Sequence, residues 1–206
     1  LNRRKYMADK QMNIRIEQDE CPESPRNWDN LGTMVMFHKR YDLGDKDHGY
    51  RSEDYNGWDE LEKAIRKEKD ASVCIPIFGY DHGGLTINTS GFSCPWDSGQ
   101  LGFVFVSDEK LKKEFGRKRI TDALLDRARE ILRNEVETYD QYLTGDVWGY
   151  IIEDEDGEHI DSCWGFFGHD YCQKEAEEML AFLEEQEKER AAELRRVQAA
   201  MPCCQP

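Results

Sequence analysis

The stretch Thr121–Thr144 constrains this chain most. Leu124, Leu125, Ala128, Ile131, Leu132, Val136, Tyr139 and Leu143 recur at spacings of three and four, which lines one face of an α-helix. Thr121 is placed to cap its start and Gly145 to stop it. A helix with one apolar face must lay that face on another layer, and strand-like segments on both sides can supply it. Gly32–His38, Ser72–Gly79 and Leu85–Thr89 have strand character. Leu101–Val106 is apolar on both faces and predicts a central strand. Pro76 cannot donate to a ladder, so the 72–79 strand is expected at an edge or with a bulge. Asn56 resembles an N-cap, followed by Trp58, Leu61 and Ile65 at helical spacing. Asp156-Gly157 between two alternating runs signals a hairpin.

Strands joined by turns, with helices among them, predict an α+β fold: an antiparallel sheet with helices packed on it. A long charged C-terminal helix follows from about Gln173. Ala176, Met179, Leu180 and Leu183 would dock its first half, while its second half offers only Leu194 and Val197 beyond alanines. The expected organisation is a mobile arm over 1–25, an α+β domain over 26–172, and the helix with its tail over 173–206. Residues 39–56 read as a long charged loop, functional or mobile.

Charge narrows the function. Asp and Glu number 43 against 28 Lys and Arg, a formal net charge of -15 over 206 residues. Such a field repels a polyanion, so direct nucleic-acid binding is disfavoured and a basic partner is favoured. The 7 cysteines are odd in number and include no C-x-x-C pair. With no signal-peptide pattern at the start, we expect reduced thiols in a cytoplasm. The 5 histidines are scattered without metal-ligand spacing, so no metal and no cofactor is expected. No apolar stretch approaches the ~20 residues of a membrane span.

Three constellations carry chemistry. Asp81 and His82 sit in a Gly-Gly turn, and Cys94, Asp97 and Gln100 lie in the loop before the central strand. A thiol nucleophile needs a base and oxyanion donors: His82 as base, Asp97 or Asp81 to orient it, Gln100 as donor. The alternative is ordinary turn chemistry and a structured loop on which Trp96 packs. In the hairpin, a two-residue turn would pair Ile152 with Asp161, Tyr150 with Cys163 and Trp148 with Gly165. Trp148, Tyr150 and Asp161 would then face away from a core face of Val147, Ile151, Ile160, Trp164 and Phe166. That face is either a binding surface or covered by a helix. Glu135, Glu137, Asp140 and Asp146 gather at the end of the long helix, against its dipole. They would bind a hard cation or a basic partner, or are simply solvated charge. Glu184, Glu185 and Glu187 on the last helix are further contact candidates.

The runs Tyr80–Gly84, Phe92–Gln100, Val136–Asp146 and Ile160–Phe166, with Asn27–Thr33, resemble a family of small proteins encoded by bacteriophages, plasmids and integrative elements of mostly Gram-positive bacteria. The resemblance spans about Arg26 to Gly168 and transfers no catalytic residue. It implies a setting in which small acidic proteins act on host defence. The expectation is a non-enzymatic inhibitor, of anti-restriction or anti-CRISPR type, that binds a basic host protein such as a nuclease, with nucleic-acid mimicry as one route. Two rivals stand beside it. One is a cysteine-dependent hydrolase or transferase using Cys94 and His82. The other is an assembly protein that oligomerises through its C-terminal helix.

Overall fold

The computed structural model describes residues 11–200, except the side chains of Gln198 and Ala200. The chain divides into two compact units. One is the continuous stretch Glu23–Gly145; the other combines the residues before Glu23 with those from Asp146 onward.

In the continuous unit, four strands form a mixed-length antiparallel sheet. They are β2 (Thr33–Met36), β3 (Val73–Asp81), β4 (Leu85–Asn88) and β5 (Ser98–Val106), in the order β2-β5-β3-β4. The expected central strand is β5. Side chains alternate across this sheet with period two. Met34, Met36, Val73, Ile75, Ile77, Val104 and Val106 face one way and pack with Leu124, Ala128, Leu132, Val136 and Tyr139 of α3 (Asp122–Thr144). Val35, Cys74, Phe103 and Phe105 face the other way, onto Leu61 and Ile65 of α1 (Trp58–Glu68). Helix, sheet and helix thus form three layers. A short α2 (Asp108–Glu114), capped by Ser107, adds Leu111 to the α3 side.

Local chemistry sets these boundaries. The Thr121 side chain accepts from the Leu124 N–H, and Gly145 ends α3 in the left-handed region at φ 75°. Gly57, not Asn56, starts α1; the Asn56 N–H instead donates to Glu60. Pro76 lies in the part of β3 that β4 does not cover, and a bulge follows where the register to β5 shifts between Ile77 and Phe78. Gly102 has to be glycine: a Cβ there would sit 1.8 Å from the Val35 carbonyl oxygen.

The second unit corrects two expectations. The arm over 1–25 is not mobile throughout, because Met12–Gln18 forms β1, paired antiparallel with β6 (Val147–Asp154). Its Met12, Ile14 and Ile16 alternate with polar residues and contribute to a core. The 26–172 boundaries therefore cut across the observed units. The three strands run β1-β6-β7, with β7 spanning His159–Phe167. The hairpin turn has three residues rather than two: Gly157 donates to the Asp154 carbonyl, with φ 80° at Gly157. Asp154, nearly buried, also accepts from the Asp156 and Glu158 N–H groups at 2.9 Å each. Helix α4 (His169–Ala200) lays Cys172, Ala176, Met179, Leu180 and Leu183 on this sheet. No helix among the described residues is long and apolar enough to cross a membrane.

Candidate functional site

The hairpin face proves to be packing. The expected pairs Ile152–Asp161 and Tyr150–Cys163 form, but a register shift places Trp148 opposite Phe166, leaving Gly165 unpaired with φ 85°. Trp148, Tyr150 and Ile152 turn toward α4: Tyr150 stacks on Phe166 at 5.6 Å, and Trp148 meets His169 edge-on at 4.9 Å. Burial pushes the Tyr150 phenol above its usual range. The expected core residue Trp164 lies instead on the outer face, 44% exposed, its ring filling the space above Gly149. Asp161 is half-buried beside this packed face.

The acids near the end of α3 are mostly structural acceptors. Glu135 accepts from the Leu31 N–H at 2.7 Å and the Gly32 N–H at 3.0 Å. Asp140 accepts from the Thr86 hydroxyl at 2.8 Å and the Ile87 N–H at 2.7 Å, tying α3 to β4. Asp146 accepts from the Trp148 indole at 2.6 Å and belongs to the other unit. Glu137 alone of the four is exposed. On α4, Glu184 and Glu185 are exposed, and Glu187 is half-buried. Lys188 lies 3.7 Å from Glu185, and Arg190 lies 3.6 Å from Glu187. Among the described residues, no group of three or more His, Cys, Asp or Glu could hold a metal ion.

At the turn after β3, the structure brings together some of the expected residues and separates others. His82 Nδ1 lies 3.1 Å from Asp97 Oδ2, on a ring that also stacks on Tyr80. Asp81 does not join them: it pairs with Arg40 and lies 3.4 Å from His38 Nε2. The Arg40 guanidinium holds the Asp81 carboxyl below the usual range. Cys94 is half-buried, with its carbonyl accepting from the Ser98 hydroxyl, and its thiol makes no hydrogen bond to His82. Gln100 donates to the Gly102 carbonyl at 3.2 Å on its own strand rather than into a site. Trp96 does not pack; it is 90% exposed. An imidazole oriented by a carboxylate is present, and among the described residues no thiol is hydrogen-bonded to it.

A cleft lies where no single motif pointed. Arg26 is the anchor, its side chain only 6% exposed. It grips Asp45 with Nε and Nη2 at 2.9 Å each, donates to the Gly32 carbonyl at 2.8 Å, and faces Glu135 at 3.5 Å. Asp45 also accepts from the Met34 N–H, and the neighbouring Gly44 N–H donates to the Tyr139 hydroxyl at 3.1 Å. These bonds tie the Gly44–Asp45 part of the 39–56 loop to Arg26, Met34 and Tyr139. Over this floor opens a cleft of about 690 Å³ whose lining includes Asp42, Asp45, Asp47, His48, Tyr139 and Tyr142 together with Arg26 and Lys46. A second cleft of about 410 Å³ shares Asp42, Asp45 and His48 and reaches His38, Tyr41 and Glu53.

The electrostatics of this floor follow from burial. Burial raises the Glu135 carboxyl above its usual range, against the pull of the Leu31 and Gly32 N–H groups and Arg26. Burial lowers His48, and the nearby Asp45 and Asp42 oppose that shift. His48 Nδ1 accepts from the Tyr50 N–H at 3.0 Å, which places the proton of the neutral ring on Nε2. Asp42 and Asp47 are exposed and, among the described residues, make no ion pair. The clefts therefore present carboxylates and phenol rings together with the cations Arg26, Lys46 and Arg51. The length and charge of the loop were the only signals in the sequence for this place. In comparisons with known proteins, no family model, no curated protein and no solved structure matches this chain.

Proposed function

We propose that this chain is a non-enzymatic acidic binding protein of a mobile element, acting on a host defence protein such as a restriction or CRISPR nuclease by occupying its basic groove. The observation that carries this reading is the fate of the acids. The formal net charge is -15, and Asp42, Asp47 and Glu53 stand exposed in the lining of the two clefts, beside Lys46 and Arg51. That surface replaces the end of α3 as the contact region, because Glu135, Asp140 and Asp146 are committed to internal bonds. A basic side chain entering the cleft would meet the Asp42 and Asp47 carboxylates and the rings of Tyr139 and Tyr142. Opposite charge would also speed the encounter. The cysteine-enzyme rival has less support, since among the described residues no hydrogen bond joins the Cys94 thiol to His82, although the His82–Asp97 pair is the one feature in its favour.

The test is protection of DNA from purified Gram-positive restriction and CRISPR nucleases, at low and high salt. Expected is salt-sensitive inhibition that weakens in the Asp42→Asn/Asp47→Asn double variant and persists in Cys94→Ala. Unimpeded cleavage across the panel, or inhibition lost on Cys94→Ala alone, would overturn the reading.

A further inference from the structure

A chain of net charge -15 also holds a stretch of the opposite sign. Lys110–Arg119 carries Lys110, Lys112, Lys113, Arg117, Lys118 and Arg119 against one acid, Glu114. The fold gathers these cations at a corner. Gly116, left-handed at φ 59°, closes α2: the Gly116 and Arg117 N–H groups donate to the Lys113 and Lys112 carbonyls at 3.2 and 2.8 Å. Arg117–Arg119 is thereby turned back beside the last turn of α2, which carries Lys112 and Lys113. Phe115 and Ile120, on either side, pack on the core and fix both ends of the loop. Arg127 of α3 lies 5.4 Å over the Phe115 ring and adds a cation beside it. Two residues after Arg119 the Thr121 cap opens α3, whose 23 residues turn the positive end of their dipole toward the loop.

Lys113, Arg117, Lys118 and Arg119 are exposed and Lys112 is half-buried. Arg66 pairs with Glu62 and Arg129 with Asp126, but among the described residues these five cations form no ion pair. Of the nearby acids, Asp108 is taken by the Ser72 N–H and hydroxyl, at 3.0 and 2.8 Å. Glu109, Glu114 and Asp122 stay exposed and offset the patch only in part. The apolar residues of the stretch, Leu111, Phe115 and Ile120, pack on the core. The corner thus offers charge without the apolar anchors on which protein–protein interfaces are centred. We propose that it holds the sugar–phosphate backbone of nucleic acid. Such contacts need little besides cations, and each arginine can grip a phosphate with two N–H groups. The overall charge opposes wrapping a polyanion, but screening over about 8 Å at physiological salt lets this corner touch one. The corner shares no residue with the two clefts, and the proposal does not depend on them.

Fluorescence anisotropy of a labelled DNA duplex of about 20 base pairs, titrated with the full chain from about 20 mM to about 200 mM salt, tests this. Expected is micromolar binding at the low-salt end, alike for unrelated sequences, with log affinity falling against log salt at a slope of about −4. R117Q/K118Q/R119Q makes that slope shallower by about 3 and weakens low-salt binding at least about tenfold. K39Q/K63Q/K67Q takes the same charge from exposed positions elsewhere and shifts the affinity less than about threefold. Circular dichroism checks that both variants keep the fold. No binding at about 100 µM protein in about 20 mM salt, or equal losses in the two triple variants, would overturn the proposal. So would polyglutamate bound as tightly as the duplex at equal charge, which would mark an acidic protein as the partner.

Discussion

Replacing Arg26 by methionine would remove the bolt under the acidic cleft, and its effect can be worked from the contacts. The guanidinium makes three hydrogen bonds, two to Asp45 and one to the Gly32 carbonyl, and also faces Glu135. Removing one member of a buried pair costs about 3–5 kcal/mol, mostly because the partner charge is stranded. Here the stranded carboxylates keep other donors: the Met34 N–H for Asp45, and the Leu31 and Gly32 N–H groups for Glu135. Asp45 is also 23% exposed. The lower end therefore applies, about 3 kcal/mol at pH 7, or a fall of about 6–12 °C in Tm for a chain of this size. Loss of Arg26 also removes a cation that lowers Glu135, so that carboxyl rises further. The folded variant then takes up a proton while unfolded carboxylates, near about 4.3, stay ionised. Its deficit must shrink as pH falls from about 7 to about 5. Urea titrations at the two pH values measure this, and hydrogen exchange at the Gly44 and Asp45 amides reports release of the loop. A cost below about 1 kcal/mol, or a deficit independent of pH, would refute the account of a buried charge network.

Two further outcomes follow from the same contacts. His48 is held below its usual value, so the unfolded chain binds its proton more readily; stability should rise with pH up to about 6.5 and fall on acidification. His48→Asn keeps an acceptor for the Tyr50 N–H and should flatten that part of a urea-midpoint profile. In β5, Gly102→Ala should cost about 3 kcal/mol or more, because the clash is with backbone. Gly99→Ala, with nothing within 4 Å, should change stability by less than about 0.5 kcal/mol in the same thermal melts.

Elements with a local chemical signature were legible in the sequence. Thr121 and Gly145 bracket α3 because a hydroxyl and a missing Cβ solve problems confined to one helical turn. The β5 position followed from its two apolar faces, each now covered by a helix. What stayed hidden depended on distant partners. Both faces of β6 carry apolar groups, and only the docking of α4 decides that Trp148 and Tyr150 point inward. Glu135 and Asp140 looked like surface charge because the N–H groups they receive lie on segments 103 and 53 positions away. The alternation Met12, Ile14, Ile16 was readable as a strand; the prolines that follow it obscured a period-two pattern that was present.

That first strand has a consequence for biosynthesis. β1 emerges from the ribosome long before β6, its partner in the sheet, has been translated. The uninterrupted Glu23–Gly145 stretch is complete in the meantime and can fold on its own schedule. For on the order of ten seconds, Met12–Gln18 is an unsatisfied edge with three apolar side chains on one side. The nascent protein is then most open to chaperones, or to the matching strand of a neighbouring polypeptide on the same message.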